Sequence, residues 1–86
     1  CAPGFIQRAG VVAIRDGEPV VARTVARFRA ARDHLVARLA ALPGIRIARP
    51  GGAMYAFFQV EGMTDSLGFC KRLVAESGLG LAPGIA

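Results

Sequence analysis

Residues 50–82 read PGGAMYAFFQVEGMTDSLGFCKRLVAESGLGLA and determine the fold class of the chain. After a Pro-Gly-Gly turn, residues 53–60 form an aromatic-rich run with apolar side chains on both faces. Such a run predicts a central strand that is covered on at least one side. Residues 79–82 predict a last short strand before a Pro-Gly turn.

A helix is predicted between these two strands, over residues 66–77. Asp65 can cap its first turn with the side-chain carboxylate, and Gly78 can end it in a left-handed conformation. The helical period places four apolar side chains on the face that we expect to point inward. They are Leu67, Cys70, Leu73 and Val74.

A long amphipathic helix is predicted upstream, over residues 19–42. Its apolar side chains recur at spacings of three and four residues, as in a helix with one buried face; they are Val21, Val25, Phe28, Leu35, Leu39 and Leu42. Most of the positive charge falls on the opposite, solvated face, at Arg23, Arg27, His34 and Arg38. Pro43-Gly44 ends the helix, and residues 45–47 alternate as a short strand.

Arg32 projects from the middle of the apolar stripe of this helix. We favour a guanidinium group that snorkels past the stripe on its apolar stem, so that the charge reaches water. The alternatives are a buried ion pair and a contact with a ligand.

A shorter helix comes first, over residues 3–14, and Asp16-Gly17 breaks it. The predicted order is therefore helix, long helix, strand, strand, helix, strand. This order predicts an α+β fold, in which a long connector helix is followed by a small sheet with helices packed on it.

The chain has 86 residues, of which 53% are hydrophobic. A single domain of this size buries only about 60–65% of its unfolded surface, so an enclosed active site is hard to build from it alone. Typical domains are about 45–50% apolar with glycine included. The apolar excess predicts a partner surface. Because the chain starts with Cys1 rather than Met, we expect both ends to be cuts through a longer protein.

The net charge of +5 permits an anionic partner without identifying one. Phosphate binding needs cations clustered among aromatic side chains, whereas the helix arginines face away from the aromatic strand. We therefore expect no nucleic-acid partner. The uncharged runs are too short to span a bilayer, so no membrane association is expected either. Two cysteines far apart form no disulfide framework, which favours a cytoplasmic location.

The sequence shows no catalytic residue and no metal site. His34 has no Cys or second His at ligand spacing and is assigned to solvent. Ser66 is assigned to the start of a helix, and the six acidic residues form no evident catalytic pair. Lys71, the only lysine, is expected at the surface, because a Schiff-base lysine needs a desolvated pocket.

Three phrases of the sequence have a recognisable pattern: CAPGFIQRAGVVAI (residues 1–14), FRAARDHLVARLAALPGI (28–45) and PGGAMYAFFQVEGMTDSLGFCKRLVAESGLGLAPGIA (50–86). The third is the most specific, with a P-x-G-A-M/F-Y-x-F strand, a D-x-x-x-F-C-x-x-L helix and an A-P-G turn. Together the phrases resemble the C-terminal part of fold-type I pyridoxal-phosphate enzymes, the class I/II aminotransferases.

The resemblance implies a division of the chain between two domains. Residues 1–17 would be the last helix of the large, cofactor-binding domain. Residues 18–86 would be the connector helix and most of the small domain, cut short at its C-terminal end. The resemblance also implies a wall on the substrate side of the active site, formed by Gly52, Ala53, Met54 and Tyr55. For Met54 and Tyr55, a role as ordinary core residues is an open alternative.

The resemblance further implies a function for the parent protein. The parent would be a homodimer that transfers an amino group between an amino acid and a 2-oxo acid with pyridoxal 5'-phosphate. This segment would bind no cofactor covalently, since Lys71 does not match the family's cofactor-binding lysine, and alone it would be inactive. The alternatives are a lyase, decarboxylase or synthase of the same fold, or a small basic α+β binding module.

Overall fold

Three helices and two short strands follow one another in the computed structural model, which describes residues 1–85. They are α1 (Gly4–Asp16), α2 (Glu18–Ala40), β1 (Ile45–Ile47), β2 (Phe58–Val60) and α3 (Ser66–Ser77). The predicted α+β class is confirmed. Ala86, the last residue of the predicted small-domain portion, lies outside the described residues.

The first two helices are separated by a single residue, Gly17. Its backbone is close to helical, with φ −81° and ψ −15°, so the predicted break at Asp16-Gly17 is confined to this one position. A Cβ atom at Gly17 would collide with the carbonyl oxygen of Ala13, which explains the glycine. α1 begins one residue later and ends two residues later than predicted, and α2 ends at Ala40 instead of residue 42.

The strands β1 and β2 form an antiparallel pair. Ile45 lies opposite Val60, and Ile47 lies opposite Phe58. These four side chains are half-buried, while Arg46 and Gln59 between them are exposed. The alternation matches a sheet with one covered face, and it confirms the prediction for residues 45–47.

The predicted strands over residues 53–60 and 79–82 differ from the structure. Only Phe58–Val60 is a strand in the first segment, because its partner β1 has three residues and the ladder ends at the pair of Ile47 and Phe58. Residues 79–82 are not a strand, and β2 is therefore not central. Two glycines and a proline in residues 78–83 disfavour a strand, and no described segment pairs with it.

The helix α3 has the bounds that the sequence predicts. The Asp65 carboxylate accepts a hydrogen bond from the Gly68 amide at 2.9 Å, and Gly78 ends the helix with φ 68°. The inward face of α3 matches the prediction only in part. Cys70 is buried and Leu73 half-buried, but Leu67 and Val74 are exposed. Ser66 and Phe69 are half-buried instead, so the covered face is turned away from Leu67 and Val74.

We expect Asp65→Ala to destabilise α3 by about 1 kcal/mol, because the Gly68 amide loses its acceptor. Hydrogen exchange at that amide should become about fivefold faster, as this free energy implies. Asp65→Asn is the matched control, since its side-chain oxygen can still cap the helix. Equal exchange rates in the alanine variant and the wild type would contradict the role of the cap.

The described chain has little buried core. Only Cys70, at 8% exposure, is buried among the hydrophobic residues of the described range. The radius of gyration is 18.3 Å, against about 12 Å for a compact domain of this length. The accessible surface is 7265 Å², against about 4,900 Å² for a folded monomer of this mass. The extended shape therefore leaves much apolar surface uncovered.

The uncovered surface includes the apolar stripe of α2. Phe28 and Leu35 in its middle remain more than 40% exposed, while Leu39 near its end is half-buried where α2 meets β1. The predicted solvated face, with Arg23, Arg27, His34 and Arg38, is exposed. Over residues 1–85, no helix combines the length and the apolar character needed to cross a membrane.

Candidate functional site

An open groove of about 900 Å³ lies between residues 54–60, the first turns of α3 and residues 81–84. Aromatic and sulfur-containing residues contribute seven side chains to its lining: Met54, Tyr55, Phe57, Phe58, Met63, Phe69 and Cys70. Arg46 and Glu61 are the charged residues of its lining within the described part of the chain. Such a surface suits apolar parts of a ligand more than a phosphate or a dicarboxylate.

The turn before the groove determines where Met54 and Tyr55 lie. Gly51 and Gly52 have open space around them, and Ala53 adopts a left-handed φ of 57°. This conformation costs a non-glycine residue about 1–2 kcal/mol. It redirects the chain so that Met54 and Tyr55, at 71% and 78% exposure, line the groove.

The four predicted wall residues therefore fall into two groups. Met54 and Tyr55 line the groove, whereas Gly52 and Ala53 lie in the preceding turn and do not line it. The exposure of Met54 and Tyr55 is unlike that of core residues in this chain. The role of all four residues as a substrate-side wall stays a prediction.

The approach of Gly84 to the aromatic segment is not predicted by the sequence pattern. A Cβ atom on Gly84 would lie 3.2 Å from Cζ of Phe57, so the ring packs closely against the glycine. No ladder joins these segments, and periodicity therefore offered no signal. The glycine of the A-P-G turn was the available clue, because a close approach often requires a residue without a side chain.

The groove does not fit covalent attachment of pyridoxal phosphate. That attachment requires a lysine, and Lys71 is an exposed residue of α3 outside the groove lining. The Ser66 hydroxyl is the polar group at the groove that is buried without a hydrogen-bond partner in the described chain. Within residues 1–85, no three His, Cys, Asp or Glu side chains are grouped as metal ligands would be.

A cluster of charged residues joins α2 to the loop before the groove. Oδ1 of Asp33 accepts hydrogen bonds from Nε of Arg32 at 2.8 Å and from Nη2 of Arg49 at 2.8 Å. Nη1 of Arg32 also donates to the carbonyl oxygen of Pro50 at 3.2 Å. The favoured interpretation of Arg32 was therefore incomplete: its half-buried guanidinium group is held by an ion pair and a backbone acceptor.

The two arginines keep Asp33 ionised. Hydrogen bonds from Arg32, and then from Arg49, hold the pKa of the Asp33 carboxyl below its usual value. A lowered pKa means that the folded state favours the charged form, so the ion pairs are retained above the ordinary carboxyl pKa and are lost as the pH falls through the lowered one. Arg15 lowers the pKa of Asp16 in the same way within α1.

Comparison with curated proteins links this sequence to one enzyme class. An aspartate aminotransferase of Thermotoga maritima is 39% identical over 62 residues, which cover 72% of this chain and 16% of that protein. An aspartate aminotransferase of Thermococcus kodakarensis is 31% identical over 86 residues, covering 100% of this chain and 22% of that protein. The chain is a homologue of aminotransferases.

A third aminotransferase extends the comparison to another substrate. The LL-diaminopimelate aminotransferase of Oleidesulfovibrio alaskensis is 35% identical over 80 residues, which cover 92% of this chain and 20% of that protein. This aminotransferase homologue therefore spans about a fifth of the length of these relatives. No protein-family model and no solved structure matches the chain.

The homology confirms the resemblance that the three phrases of the sequence indicate. It favours an aminotransferase segment over the alternative of a small basic binding module, because the alignments extend over most of the chain. The relatives carry different substrate names, and the homology by itself therefore specifies no substrate.

Proposed function

We propose that the chain is a segment of a pyridoxal-phosphate-dependent aminotransferase that moves an amino group between an amino acid and a 2-oxo acid. The carrying observation is that aminotransferases are 31–39% identical to it over 72–100% of its length. In this proposal, residues 1–17 end the large domain, and residues 18–86 form the connector helix and most of the small domain.

In this proposal, the segment forms one wall of the active site of the parent protein. The cofactor of the parent protein supplies the electron sink for amino-group transfer. Met54 and Tyr55 would contact the substrate from the small-domain side, and the aromatic groove would exclude water from its apolar parts. The turn at Gly52 and Ala53 would place the wall, while α2 would carry the small domain as it closes.

The uncovered apolar stripe supports the proposed large-domain partner. A helix with one apolar face is normally packed against another element, whereas residues 1–85 leave Phe28 and Leu35 more than 40% exposed. We propose that the large domain covers this stripe in the parent. We further propose that the parent is a cytoplasmic homodimer without nucleic-acid or membrane partners.

The complete reading frame tests this proposal directly. Upstream it should encode a lysine in a Ser/Thr-rich phrase, and downstream a Gly-rich turn with an arginine for the substrate carboxylate. The purified protein should then transfer an amino group from an amino acid to a 2-oxo acid. Release of carbon dioxide or ammonia instead would indicate a decarboxylase or lyase, and a frame confined to these 86 residues would overturn the proposal.

We expect the isolated chain to show no selective labelling at Lys71 when pyridoxal phosphate is added and reduced with borohydride. An exposed lysine lies in no desolvated pocket that would favour the reaction. Labelling should match that of an unrelated protein with one surface lysine, measured by intact mass. Stoichiometric modification of Lys71 at low cofactor concentration would contradict the expectation.

A further inference from the structure

Hydrogen bonds join Arg32 and Asp33 of α2 to the loop that leads to the groove. Their partners in the loop are Pro50 and Arg49. Asp33 accepts two hydrogen bonds from Arg49, at 2.8 Å from Nη2 and 3.1 Å from Nε. Arg32 donates to the carbonyl oxygen of Pro50 at 3.2 Å. These bonds join residues 16 and 18 positions apart, so they connect two elements. We call Arg32, Asp33, Arg49 and Pro50 the α2 clamp.

The segment between the clamp and β2 is supported mainly at its ends. The clamp holds Pro50 at one end, and Phe58 pairs with Ile47 at the other. Between them, Cβ positions on Gly51 and Gly52 have no neighbouring atom within 4 Å. The side chains of Met54, Tyr55 and Phe57 are largely exposed. Phe57 also packs against Gly84, and the placement of Met54 and Tyr55 otherwise depends on the two anchors.

The clamp differs from an ordinary ion pair on a helix surface. Arg15 and Asp16 in α1 are also adjacent and form an ion pair, with Nη2 to Oδ2 at 2.8 Å. Within the described residues, this pair joins α1 to no other element. In the clamp, the corresponding pair has an additional donor from Arg49 and an additional acceptor in Pro50. The shared carboxylate of Asp33 thus couples α2 to the loop.

We propose that Arg32, Asp33 and Arg49 are positioning residues that set the location of Met54 and Tyr55 for substrate binding. This inference rests on the proposed aminotransferase function. With the clamp closed, the wall is fixed relative to α2, and less conformational freedom is lost when the substrate binds. With the clamp open, residues 48–57 are held by β2 and by the contact of Phe57 with Gly84 alone, and substrate binding becomes weaker.

The test uses the complete protein that carries this chain, with the variants Asp33→Asn and Arg49→Gln. We expect each to raise KM for the amino acid about two- to fivefold, the range for a partly exposed ion pair, with little change in kcat. The double variant should resemble the single ones, because both remove the same interaction. Asp16→Asn, which removes the matched pair in α1, should leave KM unchanged.

Hydrogen exchange provides a readout that does not depend on activity. Amides of residues 51–57 should exchange about two- to fivefold faster in Asp33→Asn and Arg49→Gln than in the wild type or Asp16→Asn. Unchanged exchange, or additive KM effects in the double variant, would overturn the clamp. If the wild type transfers no amino group, the proposed function and the substrate role of the clamp both fail, while exchange still shows whether the clamp holds the segment.

Discussion

The isolated 86-residue chain is expected to self-associate and to bind a hydrophobic dye at micromolar concentration. Its accessible surface of 7265 Å² far exceeds that of a compact monomer of the same mass. Exposed apolar patches of more than a few hundred Å² are rare on monomers and promote association. Sedimentation velocity and the fluorescence of the dye would measure both effects.

Variants of apolar residues in α1 and of charged residues in α2 test whether the exposed apolar surface causes these effects. Phe5→Ser combined with Val12→Ser removes two exposed apolar side chains of α1 and should reduce both association and dye fluorescence severalfold. Arg23→Gln combined with Arg27→Gln, on the charged face of α2, is the matched control and should not reduce them. A monodisperse chain that binds no dye would count against an uncovered partner surface.

Truncation of the wall is expected to have the largest effect on catalysis in the parent protein. Tyr55→Ala and Met54→Ala should each raise KM for the amino acid about tenfold, as the loss of a large contacting side chain does at a binding site. Both side chains are more than 70% exposed here, so their removal should cost this chain little stability. Steady-state kinetics and thermal unfolding would separate the two effects.

Leu79→Ala provides a matched control for the wall variants. Leu79 is an exposed apolar residue that does not line the groove, and its loss should leave KM within twofold of the wild type, as expected for a surface substitution away from the site. Tyr55→Phe keeps the ring and tests the hydroxyl group alone. Equal KM values in Tyr55→Ala and Leu79→Ala would show that Tyr55 does not contact the substrate.

The sequence predicts the local structure of this chain well where one residue type determines it. Asp65 and Gly78 mark the two ends of α3, because a cap acceptor and a left-handed glycine act within one turn. The strands are harder to predict. A ladder requires a partner strand, and the length of β1 limits β2 to Phe58–Val60. The pattern of residues 53–57 predicts a strand there, but no partner residues are available.

The candidate site is predicted in part for a related reason. The resemblance predicts that Met54 and Tyr55 belong to a substrate-side wall, and both residues line the groove in the structure. The contact of Phe57 with Gly84 and the bonds from Arg49 to Asp33 depend on tertiary approach. Neither leaves a periodic signal, because each joins residues from segments that no helix or strand repeat connects.

The connections of the α2 clamp and of the strand pair also bear on the order of folding. Paired residues of β1 and β2 are 11 to 15 positions apart, and the clamp closes loops only slightly longer. Loops of this length close in well under a microsecond, and contacts between near neighbours favour rapid folding. Residues 32–60 are thus expected to form an early nucleus. In pulse-labelling experiments, the Glu61 amide next to this segment, bonded to Gly44, should gain protection early.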